Sequence, residues 1–226
     1  MRKAKINHLS KIDKTKFPEG FATRILCNDP YIVKIRRFLN TEECETMIEM
    51  AHGKFKRSTI VYDDELIESS TRTSSTAFVT DNGHFEKYSE PVERILEKVM
   101  YLTGCKRRQI EGLMVVKYSP GQEYQQHHDF FKPEHTDMMG GNFMQRILTF
   151  FCYLTSLDSE DGGETEFPLL DLKIKPSKGT AVFWWNQKPD GTLIEETLHR
   201  GNPVLGDKTK YGLNIWIREN DFYSSE

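Results

Sequence analysis

Residues 110–131 read IEGLMVVKYSPGQEYQQHHDFF. Two runs of strand-like residues, LMVVKY and YQQHHDF, flank the turn signal SPGQ and predict a pair of strands joined by a tight connection. In an extended chain, side chains at i and i+2 share a face and i+1 turns away. His127 and Asp129 therefore project together, and His128 faces the other side. An imidazole and a carboxylate on one strand face can begin a metal site. The rest of the chain must supply the other ligands and the frame that holds them.

Downstream, RILTFFCYL, TAVFWW and YGLNIWIRE are rich in β-branched and aromatic residues, with turn signals such as SEDGG and KPDG between runs. Upstream, FLNTEECETMIEMAHG reads as a helix. Asn40 and Glu43 form a capping box, Cys44, Met47, Ile48 and Ala51 make an apolar stripe, and Gly53 closes it. SEPVERILEKVMYLTG predicts a second helix, with Pro91 in its first turn, Val92, Ile95, Leu96 and Val99 facing inward, and Gly104 at its end. Helices followed by many short strands do not alternate as in a doubly wound sheet. The expected fold is α+β but mainly β: a jelly-roll core with N-terminal helices packed against its larger sheet.

The 226 residues are enough for one sizeable domain, with 12% aromatic and 29% charged residues as in ordinary globular proteins. Residues 1–29, opening MRKAKINHLSKIDK, read as a basic N-terminal arm, and 30–226 as a single domain. A net charge of -3 gives no drive toward nucleic acid. No secretory signal or membrane span is visible, and Cys27, Cys44, Cys105 and Cys152 form no metal or disulfide spacing. A cytoplasmic protein with free thiols is expected.

His199, in ETLHRGNPV at the end of a strand-like segment, is the candidate third ligand. A second H-x-D, His135 and Asp137, lies among Pro and Gly in PEHTDMMGG and lacks a strand to hold it. Two histidines and one carboxylate leave three positions of an octahedron open, as in non-haem Fe(II) oxygenases. Zinc in a hydrolase is the competing reading, but no H-E-x-x-H helix is present. A chelating co-substrate with a remote carboxylate needs a buried cation, and Lys208 and Lys210 follow His199. Tyr153, in TFFCYLT, could bond the same carboxylate. The plainer readings are surface lysines and a core tyrosine.

The chain resembles the prolyl 4-hydroxylases, Fe(II)- and 2-oxoglutarate-dependent dioxygenases with a double-stranded β-helix fold. The likeness runs from about Pro30 to Arg218 through RRFLNTEEC, STRTSSTAF, IEGLMVVKYSPGQEYQQHHDFF, QRILTFFCYLTSLDSEDGGETEFP, PSKGTAVFWWN and LHRGNPVLGDKTKYGLNIWIRE. It implies iron ligands His127, Asp129 and His199. It implies that Lys210, with Lys208 as the alternative, binds 2-oxoglutarate beside Tyr153 and Tyr118. Tyr124, Arg146, Trp216, Arg72 and Arg218 occupy places that resemble peptide-facing groups. Arg218 stands where some relatives carry a histidine, and a solvated strand end is its other reading.

The implied activity is hydroxylation of prolyl residues in peptides or proteins, coupled to oxidative decarboxylation of 2-oxoglutarate to succinate and CO2. Dioxygen is the co-substrate and L-ascorbate is expected to protect the iron. A Pro-rich segment is the expected partner, because a polyproline-like chain loses little entropy on binding. The competing readings are the same core acting on lysyl residues or a free amino acid, and a non-catalytic β-helix binding module.

Overall fold

The computed structural model describes residues 20–62, 65–80, 88–132 and 144–221. In its first half the strands are β1 (Ala22–Asn28), β2 (Tyr31–Arg36), β3 (Lys56–Arg57), β4 (Thr59–Tyr62), β5 (Glu65–Glu68), β6 (Ser75–Phe78) and β7 (Met114–Tyr118). There follow β8 (Tyr124–His127), β9 (Arg146–Tyr153), β10 (Thr165–Phe167), β11 (Leu172–Ile174), β12 (Ala181–Trp185), β13 (His199–Gly201) and β14 (Lys210–Arg218). The helices are α1 (Thr41–Ala51) and α2 (Glu90–Thr103). An eight-stranded sheet runs β1-β2-β12-β9-β14-β7-β6-β3, a four-stranded sheet runs β11-β10-β13-β8, and β4-β5 form a separate hairpin. Every strand pair is antiparallel.

Both faces of the larger sheet are covered, which is why its strands read as continuous apolar runs. Alternate residues go to different cores. Phe150, Cys152, Ala181, Phe183, Leu213 and Ile215 pack with Cys44 and Met47 of α1 and Val92, Ile95, Leu96 and Val99 of α2. Phe151, Tyr153, Val182 and Trp184 face the smaller sheet, where they meet Val116, Tyr118, Phe167 and Ile174. Space between the sheets comes partly from Gly212, where a Cβ would strike the Phe151 ring.

The helices begin as their sequences dictate. Asn40 Oδ1 accepts from the Glu43 amide at 2.8 Å, and Glu43 Oε2 accepts from the Asn40 amide at 2.8 Å. Glu43 is fully buried and also takes both Lys98 contacts from α2 at 2.7 Å, joining the helices. Pro91 lies in the first turn of α2, and Gly104 ends it in the left-handed conformation at φ 70°. Ile48 is only half-buried on the α1 stripe.

The arm expected to reach residue 29 ends earlier. Ala22–Asn28 is the edge strand of the large sheet, paired along its length with β2. Residues 22–25 of this edge strand are exposed and only Leu26 and Cys27 pack against the inter-sheet core, so it can carry Thr23 and Arg24 and lacks the apolar run that marks an inner strand. The rest of the predicted arm, residues 1–19, and the second H-x-D, His135 and Asp137, lie outside the described residues. No described helix is long and apolar enough to cross a membrane.

Candidate metal centre

His127 is the last residue of β8, and His199, the first of β13, lies directly opposite it in the ladder. Their ring centroids are 4.2 Å apart. Asp129, just past β8, reaches both: Oδ1 is 3.9 Å from His127 Nε2 and Oδ2 is 3.7 Å from His199 Nε2. One ligand atom from each residue lies within 4.8 Å of the others. The strand expected to run through Asp129 ends at His127 and the chain bends at Asp129, yet the two side chains meet, while His128 turns away. Its Nε2–H donates to the Glu195 carbonyl at 2.9 Å, and its ring stacks on Phe130.

The imidazoles are set for coordination through Nε2. Nδ1–H of His127 donates to the Gln125 carbonyl at 2.8 Å, and Nδ1–H of His199 to the Thr197 carbonyl at 2.9 Å. These bonds leave the Nε2 lone pairs facing Asp129. Burial holds both histidines below their ordinary range, which keeps them neutral and able to bind a cation. Burial alone would raise the Asp129 carboxyl. His199, His127, Arg146 and the Thr149 hydroxyl outweigh it and hold the group below the usual carboxylate range. Two neutral nitrogens and one buried carboxylate therefore fit a divalent metal.

Behind this cluster, between the two sheets, lies Lys210, 1% exposed at the start of β14. Strand parity turns its side chain inward, where Nζ lies 4.9 Å from the Tyr118 ring centroid and 5.3 Å from that of Phe151. Burial pulls its ammonium down to about 7, only partly offset by Glu164. It has no ion-pair partner among the described residues. Lys208 lies before the strand and is half-exposed, with Nζ 2.7 Å from both Asp158 Oδ2 and Asp161 Oδ2.

Tyr153 is fully buried, and its hydroxyl donates to Thr165 Oγ1 at 2.8 Å. The Tyr118 hydroxyl borders Gly201, and burial pushes it up to about 12. The Tyr124 ring stacks on His127 at a 3.5 Å centroid separation, with the Arg72 guanidinium 4.7 Å from the Tyr124 centroid. Arg72 Nη1 also donates to the Thr59 carbonyl at 2.9 Å, tying it to the β4–β5 hairpin.

On the other side Arg146 lies 3.7 Å from the Trp216 ring centroid and donates to Glu111 at 2.6 and 2.8 Å. Arg218 pairs with the same carboxylate and donates to the Met144 carbonyl. It is buried and is not a solvated strand end. Sequence reasoning did not place Glu111, although an acid beside an apolar run requires a cation if it is buried. Thr149, the threonine of an R-x-x-T run within the stretch QRILTFFCYL that carries the family resemblance, donates its hydroxyl to Asp129 Oδ2 at 2.9 Å, a contact the sequence pattern does not predict.

Residues 113–218 match the 2OG-Fe(II) oxygenase superfamily. Prolyl 4-hydroxylase 5 of Arabidopsis thaliana is 34% identical over 217 residues, covering 86% of this chain and 70% of that protein. Prolyl 4-hydroxylase 1 of the same plant is 31% identical over 84% of this chain and 69% of its own length. Among solved structures, the viral collagen prolyl hydroxylase of Paramecium Bursaria Chlorella virus-1, in its 2OG complex, is 31% identical. It matches with a TM-score of 0.65 over 85% of this chain and 98% of that one. A Trichoplax adhaerens prolyl hydroxylase, solved with a hypoxia inducible factor oxygen degradation domain peptide fragment, shares the fold at 19% identity and a TM-score of 0.61.

Proposed function

This chain belongs to the prolyl 4-hydroxylase family of 2OG-Fe(II) oxygenases, and we propose that it hydroxylates prolyl residues in peptide or protein substrates. The observation that carries this reading is the three-ligand cluster backed by a buried lysine that has no ion-pair partner among the described residues. His127, Asp129 and His199 would hold Fe(II). Bound there, the ion supplies the redox chemistry by which dioxygen and 2-oxoglutarate yield succinate, carbon dioxide and a new C–OH group.

The protein binds, orients and excludes water. Lys210 meets the remote carboxylate of 2-oxoglutarate in a pocket dry enough to strengthen the pairing. Tyr118 lines that pocket, and Tyr153 holds Thr165 against its wall. Arg72 and Tyr124 on one side and Arg146 on the other border the metal cluster and form the rims on which a peptide lies, with Trp216 and Arg218 buried beneath Arg146 and holding it in place through its ring contact and their shared Glu111. Aromatic faces and guanidinium groups suit an extended Pro-rich segment, whose carbonyls remain free to accept hydrogen bonds. L-Ascorbate is expected to restore activity lost when the iron is oxidised. Four unpaired cysteines support a reducing, cytoplasmic setting.

The test is succinate release from 2-oxoglutarate with Fe(II), dioxygen and Pro-rich peptides, with mass spectrometry of the peptide. One oxygen atom added to a prolyl residue, in step with succinate, is expected. Modification at lysine, or at no peptide residue, would overturn the substrate assignment.

A further inference from the structure

Two fully buried polar side chains stand in line behind Asp129: Thr149 on β9 and Asn186, just past β12. Thr149 Oγ1 donates to Asp129 Oδ2 at 2.9 Å, and Asn186 Nδ2 donates to Thr149 Oγ1 at 2.9 Å. The directions are forced. A carboxylate only accepts, so the single hydroxyl hydrogen of Thr149 must go to Oδ2. Its lone pair must then take a donor, and the amide nitrogen of Asn186 supplies one.

The backbone of both residues is fixed. Thr149 lies opposite Trp184 on one neighbouring strand and Trp216 on the other. The Asn186 amide donates to the Ile147 carbonyl at 2.9 Å, and its carbonyl accepts from Ile194 at 3.0 Å. A hydroxyl inside an apolar strand and a carboxamide at the end of the next are costly to bury unless they are hydrogen-bonded, as they are here to each other and to Asp129.

We propose that Thr149, held by Asn186, is a positioning residue that reserves Asp129 Oδ2 for the protein and leaves Oδ1 as the oxygen offered to the metal. The proposal rests on the metal-centre reading above. A carboxylate bound through both oxygens would occupy two coordination positions. Capping one oxygen keeps Asp129 to a single position and leaves room for the co-substrate and dioxygen.

The probe is Co(II) added to metal-free protein, without 2-oxoglutarate, followed by titration and by the visible absorption of the bound ion. Thr149→Val, which keeps shape and removes the hydroxyl, should weaken Co(II) binding by about 10–100-fold and alter the spectrum. Thr149→Ser should return both toward the unaltered protein. The double variant Thr149→Val/Asn186→Leu avoids stranding the amide and should show the same metal defect as Thr149→Val. Co(II) binding by Thr149→Val within about threefold of the unaltered protein, with the same spectrum, overturns the proposal. A serine variant as defective as valine does so too, since it would point to packing. Asp129→Ala separates the two levels: if it leaves Co(II) binding unchanged, the metal centre itself is misassigned.

Discussion

Two buried lysines show how differently the two cores of this molecule are built. Lys98, between the helices and the large sheet, donates to both Glu43 oxygens and to the Phe38 carbonyl. Lys210, between the sheets, has aromatic rings around its ammonium and no carboxylate within ion-pair distance among the described residues. The first core satisfies its charges from within and serves the fold. Among the described residues, the second gives its cation only aromatic faces and leaves the buried Trp184 indole N–H without a hydrogen-bond partner. Buried polar groups without partners cost stability, and they persist where something other than stability selects them.

The sharpest break between the regions should come from a ligand position. His199→Ala is expected to reduce succinate formation to background and to remove tight Co(II) binding, while the protein stays folded by circular dichroism. Substantial turnover in this variant would refute the ligand set. In the other core, Lys98→Met should leave turnover per folded molecule intact and destabilise the protein by up to about 3–5 kcal/mol, because buried Glu43 keeps only Arg94 at 3.2 Å and the Asn40 amide as partners. Urea unfolding measures it, and a loss well below that range would mean that Arg94 alone compensates the Glu43 charge.

Lys210→Met should act in the opposite sense on stability. Its folded pKa, about 7, lies below the unfolded value of 10.5. The cost of burying the charge is therefore present in full below pH 7 and disappears as pH rises toward the unfolded value. The substitution should stabilise the ligand-free protein by roughly 2–4 kcal/mol at pH 7, and progressively less toward pH 10. It should also raise the 2-oxoglutarate requirement sharply. A variant less stable than the unaltered protein at pH 7 would show that Lys210 has an internal anionic partner.

The same group sets a pH dependence for co-substrate binding. An anion beside Lys210 raises its pKa, so binding above pH 7 takes up a proton. Affinity for 2-oxoglutarate should be greatest below pH 7 and fall by up to about tenfold per pH unit above it. Calorimetry in buffers of different ionisation heat reads the proton uptake directly. A flat profile between pH 7 and 9 would leave Lys210 charged throughout, against the desolvation argument.

The contrast also explains what could be read from the chain. The inner strands of the large sheet announced themselves because both faces are apolar, and RILTFFCYL and TAVFWW admit little else. His127 and Asp129 were legible as a pair from their two-residue spacing, although the strand itself stops at His127 and Asp129 sits in the bend after it. Edge strand β1 did not announce itself, because only its end packs on the core and the exposed remainder can be polar. Glu111 joining Arg146 and Arg218, and Asn186 reaching Thr149, depend on contacts across tens of residues. No local pattern encodes such pairings. The β10 and β11 strands, three residues each, are too short to carry a period.

The smallest expected effect decides between neighbours. Lys208 and Lys210 both follow His199 at plausible spacings, and only the period of β14 separates them. Lys208 is 46% exposed in its side chain and bonded to Asp158 and Asp161, and those bonds hold its ammonium above the ordinary range. An exposed pair of this kind contributes little, since solvent screens it and two long side chains lose freedom to form it. Lys208→Ala should therefore change neither the 2-oxoglutarate requirement nor its pH profile, with at most a slight fall in thermal stability. A rise in the requirement comparable to that of Lys210→Met would move the anchoring cation two residues toward His199. The inward turn of Lys210 would then be a feature of the fold alone.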